Sequence, residues 1–158
     1  MGARSAVARK CAENRSEFVD VGRAYKFKQL SQSHTGQIMQ IDRSGESIQV
    51  EVPLIGQHQM LNAVTAVACA DALAKRGVPV ASKQIIDGLR NSNLLGRLEI
   101  MKGEVTEEGK IKGPLVVVDG AHNHESAAAL AAALKQLFHV EKCIFVVGVN
   151  SDKNITAI

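Results

Sequence analysis

Four short segments hold residues whose types and spacing suit nucleotide or phosphate chemistry. Val118-Asp119-Gly120-Ala121-His122-Asn123 places an acid after a β-branched run, followed by a glycine turn and a helix start. In open α/β sheets ligands bind beyond the carboxyl ends of strands, and the first N–H groups of a helix favour phosphate. His122 adds a donor at the same place. The competing reading is architectural: Asn123 caps the helix, Gly120 makes the turn, and backbone N–H groups hold Asp119. Sequence alone leaves both open.

The second segment is Gly56-Gln57-His58-Gln59-Met60-Leu61-Asn62-Ala63. His58 and Asn62 are four apart and share a helix face, which Thr65 and Cys69 extend. An amide among apolar residues must find partners, because leaving it buried and unpaired costs roughly 1–3 kcal/mol. An adenine edge, with one donor and one acceptor, would serve; so would a neighbouring loop. In Leu95-Gly96-Arg97-Leu98-Glu99 an arginine follows a glycine at a junction between two bodies. It either reaches into a cleft or pairs with Glu99, the commoner and weaker arrangement. Gly148 to Lys153 repeats the pattern of strand then polar loop, with Asp152 and Lys153 as ligands or as solvated charges. None of these segments supplies a catalytic side chain.

The elements that position these residues follow from periodicity. Residues 4–14 read as a helix, 18–21 as a short strand ended by Gly22, and 25–30 as ambiguous. Residues 37–42 and 46–52 alternate polar and apolar around Ser44-Gly45, which predicts a β-hairpin with one wet face. After Pro53 and Gly56 a helix is expected over 57–76, stopped by Gly77 and Pro79. It is apolar almost all round, which predicts burial in a larger body. Ser82 is the expected N-cap of a helix over 83–89, and residues 90–96 read as a linker. Residues 98–101 suggest a strand and 103–113 an exposed hairpin or loop. Leu115 to Val118 has the character of a central parallel strand, 125–138 of a helix, and 143–149 of another buried strand. Strand, helix, strand at this spacing is a βαβ unit.

Composition excludes several classes. Apolar residues make up 46% and charged residues 22%, a globular balance. The net charge of +3 comes from scattered Lys and Arg, with no run dense enough for nucleic acid or a membrane surface. No apolar stretch reaches the ~18 residues of a transmembrane helix, and no secretion signal is present. The three cysteines, Cys11, Cys69 and Cys143, lie far apart without metal-ligand spacing. They read as reduced thiols of a cytoplasmic protein.

In this order, Asn62-Ala63 within an apolar helix, Gly96-Arg97-Leu98-Glu99, Asp119 to Asn123, and a strand leading to Asp152-Lys153 resemble a known family. It is the folylpolyglutamate synthase/dihydrofolate synthase family of the Mur-ligase superfamily, matched over about residues 52–153. Three positions depart from its pattern. Leu95 and His124 stand where proline is usual, and Asn154 where aspartate is.

The resemblance implies an α/β fold in two parts. Residues 1–94 would close the central ATP-binding ligase domain with a β-hairpin and buried helices. Residues 95–158 would open the Rossmann-like C-terminal domain with its first βαβ. It implies that Asn62 contacts adenine, that Arg97 reaches the phosphates, that Asp119 binds the nucleotide, and that His122 contacts phosphate. The implied reaction is ATP-driven amide formation. A folate or dihydropteroate carboxylate is activated as an acyl phosphate, which L-glutamate attacks.

No G-x-x-x-x-G-K-[ST] string occurs in the chain. The P-loop, the Mg²⁺ ligands and most of the pterin pocket are therefore expected upstream, and the rest of the C-terminal domain downstream. The chain alone is expected neither to bind ATP tightly nor to turn over. Alternatives are a murein-type amide ligase segment, or a non-catalytic remnant that binds a complementary fragment.

Overall fold

The computed structural model describes residues 2–150 apart from residues 44, 107, 109, 140 and 141. It begins with helix α1 (Ala3–Glu13) and a single turn, α2 (Val21–Ala24). The strand expected over 18–21 is not formed: residues 18–20 belong to no element, and Val21 opens the turn of helix. Phe18 stays exposed, with no sheet edge to pair it. Three strands follow, β1 (Lys26–Ser33), β2 (Gly36–Arg43) and β3 (Glu46–Val52), in one antiparallel sheet of order β1-β2-β3. The expected hairpin is β2–β3, with Met39 opposite Val50 and Ile41 opposite Ile48. Alternation sends those four side chains to one face, where all are buried, while Gln40 and Gln49 take the other.

Helix α3 (Gln57–Ala74) lies across that face. Ala63, Val64, Val67 and Ala68 enter the core with Leu54, the strand residues, and Ile85 of α4 (Ser82–Arg90). Each fully buried Val, Leu or Ile contributes about 1.5–3 kcal/mol relative to exposure. α3 is not enclosed: Leu61, Asn62, Thr65, Cys69 and Leu73 form an exposed face.

The N-cap expected at Ser82 falls on Ala81 instead. Gln84 Oε1 accepts the Ala81 N–H at 2.9 Å, while the Ser82 hydroxyl turns away and donates to Glu46 Oε2 at 2.7 Å. A charged acceptor across the fold outcompetes the local N–H groups.

β4 (Glu99–Val105) and β5 (Ile111–Val118) form a second antiparallel pair, and α5 (His124–Phe138) packs on it. Leu98, Ala133 and Phe138 are its buried centre, with Leu115, Val117, Leu130 and Leu134 around them. Ile55, just before α3, joins the same cluster and ties the two parts together.

Two expectations are corrected here. Residues 115–118 are not a central parallel strand: β5 pairs antiparallel with β4, and Val116 and Val118 face outward. A helix covers one face only, so the run alternates in burial despite being apolar throughout. Residues 143–149 form no strand. Ile144 and Val146 are 95% and 96% exposed, and among the described residues no sheet edge takes up this segment's backbone groups. The strand–helix start of the βαβ unit, β5 to α5, is formed.

Candidate functional site

The residues at the carboxyl end of β5 are built into a strap. Both Asp119 carboxylate oxygens accept backbone N–H groups at 2.8 Å, Oδ2 from Leu98 and Oδ1 from Ala121. The Gly120 N–H donates to Gly96 O at 2.8 Å. The Gly96 N–H donates to Glu99 Oε2 at 2.7 Å. The segments Gly96 to Glu99 and Asp119 to Ala121 are thus tied by two short bonds, the one to Asp119 charge-assisted, and each segment is braced by a further carboxylate bond of its own. Leu98, between them, is buried at 2% exposure despite a positive φ of 48°, a conformation its burial and the Asp119 bond hold in place.

Arg97 emerges from this strap. A Cβ built on Gly120 would stand 3.4 Å from Arg97 Nη1, which puts the guanidinium directly over the strand end. The ion pair with Glu99 is not formed, since that carboxylate holds Gly96. Among the described residues Arg97 has no hydrogen bond or ion pair. An exposed guanidinium on a hydrogen-bonded loop is a positioned cation, here with no counter-ion among the described residues. A cleft of about 720 Å³ opens beside it, with Arg97, His34, Lys112 and Glu104 on its walls.

His122 lies one turn on. Its Nδ1 is 2.8 Å from Gly120 O. A carbonyl only accepts, so Nδ1 carries the proton, and Nε2 is an acceptor in the neutral ring. An anion at Nε2 therefore requires the doubly protonated, cationic ring.

Asn123 is the N-cap of α5: its Oδ1 accepts the Ser126 N–H at 2.8 Å, and the Ser126 hydroxyl accepts the N–H groups of His122 and Asn123 at 3.1 Å. The architectural reading of Asp119, Gly120 and Asn123 thus holds as geometry. It leaves Arg97 and the outer edge of His122 as the groups turned to solvent.

Asn62 sits apart, near the start of α3 on the exposed face. Its Nδ2 donates to Gln59 Oε1 at 3.0 Å. The structure links Arg97, Asp119 and His122 through one strap and does not bond Asn62 to them. Asp152 and Lys153 of the fourth segment lie outside the described residues. Among the described residues no three His, Cys, Asp or Glu side chains gather as a metal site would need. No helix there is long and apolar enough to cross a membrane.

One polar cluster escaped sequence reasoning. Arg43 on β2 forms a forked ion pair with Asp71 on α3, both side chains being only 10% exposed. Tyr25 donates to Asp71 Oδ2 at 2.8 Å, and Arg43 Nη1 reaches the Ser82 hydroxyl at 3.1 Å. Burial alone would raise the Asp71 carboxyl. The Arg43 and Tyr25 hydrogen bonds outweigh it and hold the group below its ordinary value. Burial, reinforced by Asp71, pushes the Tyr25 hydroxyl up to about 12. The signal was present in α3, where Asp71 is the single acid, set among apolar Val67, Ala68, Ala70, Leu73 and Ala74, and must find a cation.

Residues 96–157 match the family model of the Mur ligase glutamate ligase domain. The chain is 31% identical over 157 residues to the folylpolyglutamate synthase of Lacticaseibacillus casei, covering 98% of this chain and 34% of that protein. It is 31% identical over 126 residues to the dihydrofolate synthase/folylpolyglutamate synthase of Mycobacterium tuberculosis, covering 78% and 24%. The chain belongs to the folylpolyglutamate synthase/dihydrofolate synthase family of Mur ligases.

It spans at most about a third of these family members' length. The fold matches a folylpolyglutamate synthase from Thermotoga maritima with a TM-score of 0.65 at 24% identity, over 85% of this chain and 30% of that one. A MurF structure from Acinetobacter baumannii matches with a TM-score of 0.64 at 25% identity, over 86% and 28%. The strap between Gly96 and Ala121 falls at the start of the segment matched by the Mur-ligase family model.

Proposed function

We propose that this chain forms one wall of the nucleotide cleft of an ATP-dependent amide ligase that adds L-glutamate to a folate, to dihydropteroate, or to both. Residues 1–94 belong in this reading to the end of the central ligase domain, and residues 95–158 to the start of the C-terminal domain. The observation that carries it is Arg97: an exposed guanidinium over Gly120 at a strand end, with no hydrogen bond or ion pair among the described residues. That placement fits an anionic phosphate chain. A pre-positioned cation stabilises charge where a phosphoryl group moves, without reorganising at the moment of reaction.

The residues divide the work. Asp119 acts through the backbone, fixing the loop that carries Arg97. His122, when protonated, adds a second positive group one turn away. Asn62 presents an amide to the adenine edge. ATP supplies the phosphoryl group that activates the substrate carboxylate. Mg²⁺ enters with the nucleotide, its ligands lying elsewhere in the full-length ligase. Family membership and the match to a glutamate ligase domain support glutamate as the added amino acid. The MurF likeness keeps a murein-type ligase as the second reading. The test is ATP-dependent transfer of labelled glutamate by the full-length protein. Incorporation into a folate or dihydropteroate supports the proposal; transfer only onto a muramoyl peptide moves it to the second reading.

A further inference from the structure

Two amides occupy places in the first core that aliphatic side chains would fill. Gln37 and Gln59 are each 2% exposed. Gln37 stands on the core-facing row of β2, in line with Met39 and Ile41 and opposite Val52. Its Nε2 donates to Leu54 O and to Gly56 O, both at 3.0 Å, so both amide hydrogens are used. These carbonyls belong to the turn that launches α3. Gly56 O also accepts the Gln59 N–H at 3.0 Å. Gln59 Oε1 in turn accepts Asn62 Nδ2 at 3.0 Å. A continuous relay therefore runs from the sheet, through the turn, to the exposed amide of Asn62.

A leucine or methionine would fill the same space without needing partners. What the amides add is direction. Gln37 fixes the aim of the turn, and Gln59 takes one Asn62 hydrogen. Asn62 is exposed, and its Oδ1 and second N–H have no partner among the described residues, one acceptor beside one donor. That pair complements an adenine edge, which offers an amino donor beside a ring nitrogen acceptor; a guanine edge offers two acceptors at the same place. We infer that Gln59, supported by Gln37, is a positioning residue that holds the Asn62 amide in the orientation that selects adenine over guanine. The inference rests on the proposed contact between Asn62 and adenine.

The experiment compares Asn62→Ala, Gln59→Met and the double variant in the full-length ligase, with ATP and GTP as nucleotides. Gln59→Met keeps the volume of the side chain and removes the acceptor. The expected result is a KM for ATP raised about tenfold, kcat within twofold, and a narrowed preference for ATP over GTP. The double variant should be no worse than Asn62→Ala alone, since both act through one contact. Gln59→Glu, which keeps an acceptor for Nδ2, should return the KM to within about threefold.

If Gln59→Met does not fold, Gln59→Asn carries the test, because its shorter amide suits the core but falls short of Asn62. The same rise in KM is then expected. If Asn62→Ala raises the KM while the folded Gln59 variant leaves KM and nucleotide preference unchanged, the positioning role is overturned and the Asn62 contact stands. If Asn62→Ala itself leaves the KM unchanged, the adenine contact falls and the positioning role with it.

Discussion

The Asp119 carboxylate accepts the backbone N–H of Leu98 at 2.8 Å and so joins the end of β5 to the loop that carries Arg97. Its other oxygen holds the Ala121 N–H. Replacing Asp119 by alanine leaves both N–H groups without their partner in a partly buried place. The expected cost is about 1–3 kcal/mol of stability, read by urea denaturation of the chain. Asp119→Asn retains one acceptor and turns a donor toward the second N–H, so it should recover at most part of the loss.

Arg43 and Asp71 form a buried ion pair, for which removing one partner is far worse than removing both. Arg43→Met or Asp71→Leu alone should destabilise by about 3–5 kcal/mol, and the double replacement by much less. A double-mutant cycle measured by denaturation checks the sign of the coupling.

The same cluster sets two pH dependences. Asp71 is depressed in the folded protein from its ordinary 3.8. Its stabilisation is therefore present above that value and is lost as the pH falls through the lower folded value. Tyr25 is raised from 10.0 to about 12. Its contribution is present below 10.0 and is lost as the pH rises toward 12. Thermal melts across pH should flatten at the acid end in Asp71→Leu and at the alkaline end in Tyr25→Phe.

Gly56 has φ of +102°, and a Cβ there would lie 2.8 Å from His58 Cε1. Gly56→Ala should cost about 1–3 kcal/mol from backbone strain alone. Adding His58→Ala relieves the contact and not the strain, so it should restore only part of the melting temperature.

Asn123→Ala removes the cap of α5 and should cost about 0.5–2 kcal/mol, with Asn123→Asp or Asn123→Ser close to neutral. Helical circular dichroism during denaturation reports this change.

Much of the fold was legible because local pattern and tertiary demand agreed. The alternation over residues 37–42 and 46–52 specified a hairpin with one buried face, and β2–β3 has it. Asn123 was legible as a cap because its side chain has no better partner than its own helix. Ser82 misled because a distant carboxylate, Glu46, claims its hydroxyl. β1 was hard to see, since Leu30 is exposed and the pairing shifts between Gln29 and Ser31, which breaks the period-two signal.

In the site, sequence picked out Arg97, Asp119 and His122 together. It offered a ligand-binding and a backbone-held Asp119 as alternatives, and both oxygens are committed to backbone. The Arg43–Asp71 pair joins residues 28 apart in sequence, and the Gln37 bonds to Leu54 and Gly56 span 17 and 19 positions. Local periodicity carries no information at that range.

The decisive measurement is the turnover number of Arg97→Ala in the full-length ligase, under saturating ATP, glutamate and folate substrate. If the guanidinium over Gly120 stabilises the transferring phosphoryl group, kcat should fall on the order of 10²-fold while the melting temperature stays within a few degrees. A fall of less than about threefold in a folded enzyme would contradict that role and remove Arg97 from the site.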